Sequence, residues 1–336
     1  MGKAAKLYQS LSQQQKQFYK EKTLSTTMKV KQWIAFLSKI STLDKLGDGK
    51  IKKLMGFGVA AIVITVVSFF VALISETYEV LIGSAVFLIA GIILFAKRKD
   101  AKEQDINNYL RQFFMPVLNV LKDKAGENAK LGASLDFRDP RKVLDPVKSV
   151  IGTRKQSMYS PTYIMTRLSL KDGTLLEFVV KDDIKDLNWK KRSASGKTKY
   201  KNKTKFVHQC FIKMTLAKTE YTWNGTQTEG IEVVDHNGHY QVKSKIKIKK
   251  IGDHVLHVKA FFEAIQSIYA LFQPLNPSSG ASTVRNDTEE EYQDDYMFIP
   301  YVWYGGYFDD YDYDSFDYSD TGEIVMEDEA ANVFDS

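Results

Sequence analysis

Two stretches of this chain carry no charge, and they organise the rest. Leu54 to Ser75 is an uncharged, mostly apolar run of 22 residues, and after a four-residue link a second run of 17 extends from Val80 to Ala96. A hydrocarbon core of about 30 Å takes about 20 helical residues, so the pattern predicts two antiparallel transmembrane helices, 54–75 and 80–96. A cleaved signal peptide would not begin so far into the chain. Lys45, Lys50, Lys52 and Lys53 precede the first run and Lys97-Arg98-Lys99 closes the second, whereas the link carries Glu76 and Glu79. The positive-inside bias then puts both termini in the cytoplasm. Small residues (Gly56, Gly58, Ala60, Ala61; Gly83, Ala90, Gly91) permit close helix contact, within the hairpin or in a homo-oligomer built through it.

Outside the hairpin the period changes along the chain. In a basic amino-terminal arm, residues 1–53, Leu7, Leu11 and Phe18 keep helical spacing. Trp33, Phe36, Leu37, Ile40 and Leu43 form a second stripe. That stripe suits a helix in the headgroup layer with Trp33 as anchor, and equally a helix packed on a domain. Gly47 and Gly49 are expected to break it before the first span. Beyond the hairpin, Ile106, Leu110, Phe113, Phe114, Val117, Leu118 and Leu121 predict a helix kinked at Pro116.

From Leu131 the period is two. Leu131–Phe137 reads as one strand. A hairpin through Lys171, Asp172 and Gly173, taken as a three-residue loop, sets Leu168 opposite Leu176, Ile164 opposite Val180 and Arg167 opposite Glu177. A two-residue turn at Asn237-Gly238 sets Val233 opposite Val242, Ile231 opposite Ser244, Glu232 opposite Lys243 and His236 opposite His239. A long strand from about Lys197 to Leu216 puts Phe206, Cys210, Ile212, Met214 and Leu216 on one side. Val255, Val258, Phe262, Ile265, Tyr269 and Phe272 then form a helical stripe to cover the sheet. The expected architecture is α+β: a two-helix transmembrane hairpin (54–96), a cytoplasmic antiparallel β-sheet domain covered by helices (97–275), and a disordered acidic tail (276–336).

Charge divides along the same boundaries. Residues 1–275 hold 46 Lys+Arg against 24 Asp+Glu, a balance of +22, while residues 276–336 hold one Arg and 17 Asp+Glu, a balance of −16. Positions 197, 199, 201, 203 and 205 are all lysine, preceded by Lys190, Lys191 and Arg192; Lys243, Lys245, Lys247 and Lys249 repeat the spacing. In strands each set lies on one face. A single ladder suits a solvated, aggregation-resistant strand; two suggest an anion-binding surface. The candidate partners are an anionic lipid surface, an acidic protein segment, or, as the rival reading, nucleic acid, which the aromatics Trp189, Tyr200 and Trp223 would favour. The acidic segment is present in the chain itself. Asp310, Asp312 and Asp314 alternate with Tyr311 and Tyr313 at the lysines' spacing, after a linker-like stretch from Pro274 to Thr288.

Catalytic chemistry is harder to find. Ser195-Gly196-Lys197-Thr198 resembles the end of a phosphate-binding loop, but the required earlier glycine is Lys191. No nucleophile elbow or His-Glu-x-x-His pattern occurs. His208, His236, His239, His254, His257 and Cys210 fall within 50 residues and are of ligand type, yet His208 and Cys210 share the apolar side of a strand, where core burial is the ordinary outcome. One cysteine excludes an intramolecular disulfide. The expectation is therefore a membrane-anchored binding or scaffold module, with no catalytic residue, metal or cofactor. A metal-dependent enzyme is the weaker alternative.

Overall fold

A computed structural model describes residues 3–75, 78–152, 154–193, 195–250 and 255–275. The tail, with Asp310 to Asp314, lies outside the described residues. The helices are α1 (Lys3–Gln9), α2 (Gln13–Glu21), α3 (Val30–Ser75), α4 (Tyr78–Gln104), α5 (Met115–Ala125), α6 (Pro140–Val143) and α7 (Val258–Tyr269). Among the described residues nine strands form one antiparallel sheet: β1 (Thr23–Lys29), β2 (Lys130–Asp136), β3 (Val147–Ile151), β4 (Arg154–Tyr159), β5 (Thr162–Ser169), β6 (Leu175–Arg192), β7 (Thr198–Ala217), β9 (Ile231–His236) and β10 (His239–Lys250). β8 (Tyr221–Trp223) and β11 (Phe272–Pro274) pair separately.

α3 and α4 are both long and apolar enough to cross a membrane. Their apolar side chains face outward: Phe57 is 65%, Ile74 84% and Ile82 68% exposed. Where the helices meet, the contact is made by small residues, with Ala61, Ala72 and Ser84 buried. A Cβ on Gly58 would come within 3.1 Å of the Phe95 ring, and one on Gly91 within 3.6 Å of Ala61. Gly56 and Gly83, expected in the same contact, meet nothing within 4 Å.

The arm departs from expectation in two ways, and of the two settings open to the Trp33 stripe it takes the packed one. Thr23–Lys29 is a strand, β1, paired with β2 in the sheet. Gly47 and Gly49 do not break the helix, because α3 runs unbroken through 46 residues. Each glycine costs a helix only about 1 kcal/mol, and packing of residues 33–43 on one side and helix pairing on the other outweigh that. Trp33 is no interfacial anchor. It is fully buried with Phe18, Leu37 and Ile40, and its Nε1–H donates to the Leu131 carbonyl at 2.9 Å.

The remaining helices close the core. A π-helical turn, Leu110–Phe114, precedes α5, so the irregularity that Pro116 demands sits just before it. On α7 the buried face is Phe261, Ile265 and Ile268, one position away from the expected Phe262. Phe261 meets the Phe178 ring at 4.8 Å on the covered face of the sheet. Both predicted β-hairpin registers are observed.

The register gives the sheet a direction. α3 starts where β1 and β2 end at Lys29 and Lys130, with Val30 N–H donating to the Ala129 carbonyl. It runs back along the sheet until Asp44, whose Oδ1 accepts from Ile106 N–H at 3.0 Å. There Lys22 Nζ donates to the carbonyls of Glu103 and Asp105 at the end of α4. The Thr23/Asp136 edge of the sheet is thus the near end, where the helix pair leaves. Across the ladder, β6 passes this end beyond Lys181 and continues with β7 as a two-stranded arm out to residues 193–197. β4 pairs with Ile184–Trp189 of that arm, and β3 pairs with β4 as its edge.

Candidate anion-binding face

Period two and the observed pairing put both lysine ladders on one face, opposite the core. Lys245 is level with Phe211 and Lys247 with Gln209, while Lys205, Lys203, Lys201 and Lys199 face Lys185, Leu187, Trp189 and Lys191 of β6. The ladders do not lie side by side. β10 pairs with β7 only from Phe206 onward, so its lysines end where those of β7 begin, and together they make a stripe from the far end of the sheet to the tip of the arm. Lys197 belongs to the tip turn rather than to a strand: Ser193 N–H donates to its carbonyl and Gly196 takes φ +78°. That geometry is a hairpin turn, so the resemblance of residues 195–198 to a phosphate-binding loop is one of sequence only.

The expected wet face is not uniformly wet. At the far end Lys213 Nζ meets Glu177 Oε2 at 2.9 Å, Arg167 Nε meets Glu177 Oε1 at 3.6 Å, and Lys243 Nζ meets Glu232 Oε2 at 3.7 Å. In the middle, the ammonium groups of Lys181 and Lys245 lie 5.1 and 5.0 Å from the Phe211 ring centroid, and Phe211, Val179 and Gln209 are buried. Lysine stems here cover apolar surface while their heads reach outward. Burial, and then the neighbouring Lys247 and Lys181, hold the Lys245 ammonium below the usual lysine range. Burial and Lys205 do the same to Lys185.

On the arm the surroundings change. Successive rows on this face read Val147, Met158, Lys185, Lys205; then Ser149, Gln156, Leu187, Lys203; then Ile151, Arg154, Trp189, Lys201; then Lys191 and Lys199. Among the described residues of these rows there is no Asp or Glu. The Arg154 guanidinium lies 5.7 Å from the Trp189 ring, and on the opposite face Lys190 Nζ lies 5.3 Å from the Tyr200 ring. Beside these rows the carboxylate of Asp186 faces the other way. It accepts from Arg141 at 2.7 and 3.0 Å and from Thr204 at 2.6 Å, and Arg141 holds its carboxyl below the usual range.

Two buried polar clusters went unread in the sequence. Tyr109 OH donates to Asp182 Oδ1 at 2.6 Å, and His208 Nδ1 lies 2.8 Å from the same oxygen and 2.9 Å from the tyrosine oxygen. Burial raises the Asp182 carboxyl, and the histidine contact opposes that rise. The next residue, Asp183, points to the lysine face instead, where it accepts from Ser160 at 2.7 Å and from Gln209. At the base of the helix pair, Arg111 bridges Asp44 at 3.0 Å and Asp48 at 2.5 Å. Burial foremost, then Asp105 and Asp48 against the opposing pull of Arg111 and Ile106 N–H, lifts the Asp44 carboxyl to about 7.

The other predicted ligand-type residues scatter. His236 and His239 stack across their turn at 5.1 Å, His257 precedes α7 as its N-cap, and Cys210 is buried, which pushes its thiol up. His254 lies outside the described residues. Among the described residues no three His, Cys, Asp or Glu side chains gather as a metal site would require. Comparison with family models, curated proteins and solved structures found no match.

Proposed function

We propose that this chain is a membrane-anchored binding module. In this reading α3 and α4 span the bilayer through residues 54–75 and 80–96, both termini are cytoplasmic, and the sheet presents its lysine stripe to a polyanion. Outward-facing apolar side chains on both long helices support the insertion, since a core helix of a soluble domain would bury them. One observation carries the binding role: both ladders fall on a single sheet face and join end to end, reaching rows where no carboxylate stands among them. Concentrated like charge of this kind raises the local concentration of anions. The acidic tail is the chain's own competitor for the stripe, tethered at an effective concentration near millimolar.

Full-length protein in neutral-lipid nanodiscs should bind heparin with a steep salt dependence, and replacing Lys199, Lys201, Lys203 and Lys205 with Ser should remove most of that binding. Heparin affinity unchanged by the four substitutions would refute the role. Topology has a separate readout. The sequons at Asn202, Asn224 and Asn286 should stay unglycosylated when the chain is made on a eukaryotic secretory membrane. Cation–π pairing at Trp189 on this face, and at Tyr200 on the arm's other face, gives nucleic acid the second claim on the arm, which a single-stranded oligonucleotide binding more tightly than heparin of matched charge would establish.

A further inference from the structure

Outside the two long helices, few large apolar side chains are exposed, and most of those that are belong to one place. Val143 (43%) and Leu144 (38%) end α6; Val147 (71%), Val150 (69%) and Ile151 (46%) lie on β3; and Tyr200 (76%) lies on β7. All are on or beside the arm. β3 is an edge strand, and such an edge ordinarily carries polar or charged residues to keep it from pairing with other chains. Here Lys148 is the one charged residue and Ser149 the one other polar one, among three exposed aliphatic side chains.

Position completes the picture. The arm leaves the sheet at the near end, the end from which the helix pair departs. Lys142 Nζ meets Glu103 of α4 at 3.6 Å while the adjacent Arg141 holds Asp186 of the arm, so the base of the arm stands beside the base of the helices. From Asp44 to Leu54 α3 rises about 15 Å. From Asp182 to Arg192 the arm extends about 33 Å. Strand twist across three ladder steps tilts it by roughly 60–75° from β1, and about 9–16 Å of its length still points the helices' way. The upper end of that range brings the tip level with Leu54, where the first span begins.

We infer that the arm and the β3 edge dock on the same leaflet that the helix pair enters, with Val147, Val150 and Ile151 in the headgroup layer and the arm's lysines on anionic lipid. This rests on the membrane-anchored, anion-binding reading above and names the ligand as the chain's own membrane surface. Interleaved cations, aliphatics, Trp189 and Tyr200 are the composition that interfacial segments use: the aromatic rings sit at headgroup depth and long basic side chains reach the phosphates. Docking at three places, two helices and one arm, would fix the orientation of the sheet over the bilayer.

The test places a fluorophore on Val150→Cys in the full chain; Cys210 is buried and stays unlabelled. In nanodiscs containing phosphatidylserine and shallow spin-labelled lipid, emission from position 150 should shift to the blue and be quenched at least threefold more than from Asn237→Cys at a far turn. Neutral nanodiscs, or Lys199, Lys201, Lys203 and Lys205 replaced with Ser, should abolish the difference. A Val147→Ser variant, which leaves the charges intact, should weaken the quenching while leaving heparin affinity unchanged. Equal quenching at positions 150 and 237 overturns the inference. If heparin still binds in that case, the anion-binding role stands without it; if heparin also fails, the role falls first. Quenching relieved only by an oligonucleotide, and unaffected by phosphatidylserine, would overturn it in favour of a nucleic-acid face.

Discussion

The ladders of β10 and β7 have the same spacing and opposite surroundings. Lys243, at the far end of the sheet, is half-buried, faces Glu232 and shares its row with the Lys213–Glu177 pair. Lys199, Lys201 and Lys203 are exposed on the outer arm, whose stripe-face rows from Lys185 outward carry no carboxylate among the described residues, the nearest on that face being Asp183 at the arm's root. Lys243 and Lys245 are bound into the fold, and the arm lysines are presented to whatever lies beyond it. Identical sequence patterns thus meet carboxylates at one end of a stripe and open surface at the other, and what separates them is which strands happen to lie alongside.

Exchanging the perturbation between the ladders is the strongest way to break this contrast. Replacing the four arm lysines 199, 201, 203 and 205 with Ser should lower heparin affinity by up to about a thousandfold at low salt, at about 1 kcal/mol for each basic residue near an anionic surface, with little change in thermal midpoint. Lys243→Ser with Lys245→Ser should do the reverse, lowering the midpoint with less than about a threefold loss of affinity. Equal affinity losses from the two sets would erase the distinction.

A second measurement sharpens the far end alone. Glu177 is 5% exposed at its side chain and contacts both Lys213 and Arg167, so Glu177→Gln should destabilise the fold by about 1–3 kcal/mol. Denaturation in detergent would read this, and an unchanged midpoint would place those lysines in the presented class.

The joint with the helix pair offers a pH test. Because the Asp44 carboxyl is raised from 3.8 to about 7 in the fold, the folded chain keeps a proton that the unfolded chain has released within that window. Stability should therefore fall as pH rises from about 4 to 7, and level off above. Asp44→Asn should flatten this slope; the same slope in that variant would assign it to another group. The smallest effect expected is that of the tail. Truncation after Leu275 should strengthen heparin binding about threefold at moderate salt and leave the arm-lysine variant unaffected.

Much of this architecture is legible in the sequence because it is decided locally. The long apolar helices follow from runs of 22 and 17 uncharged residues, and the hairpins follow from turn residues plus a period of two. The α7 stripe was read one position off because Phe261 and Phe262 are adjacent, and only the sheet beneath selects which one is buried. Likewise the Trp33 stripe suits a headgroup layer and a protein core equally well, and the choice was made by the Leu131 carbonyl, 98 residues away.

What the sequence determined by itself is the long apolar helices, the two hairpins and the face on which each ladder lies, since periodicity and turn chemistry need only neighbours. Tertiary structure alone decided that β1 completes the sheet, that the two ladders meet end to end, and that Tyr109, Asp182 and His208 share a buried cluster across separations of 73 and 99 residues. The physical reason is the same in each case. The depth of a polar group and the partner of a charge are set by long-range packing, and a charged residue reads alike in sequence whether a carboxylate or open solvent awaits it.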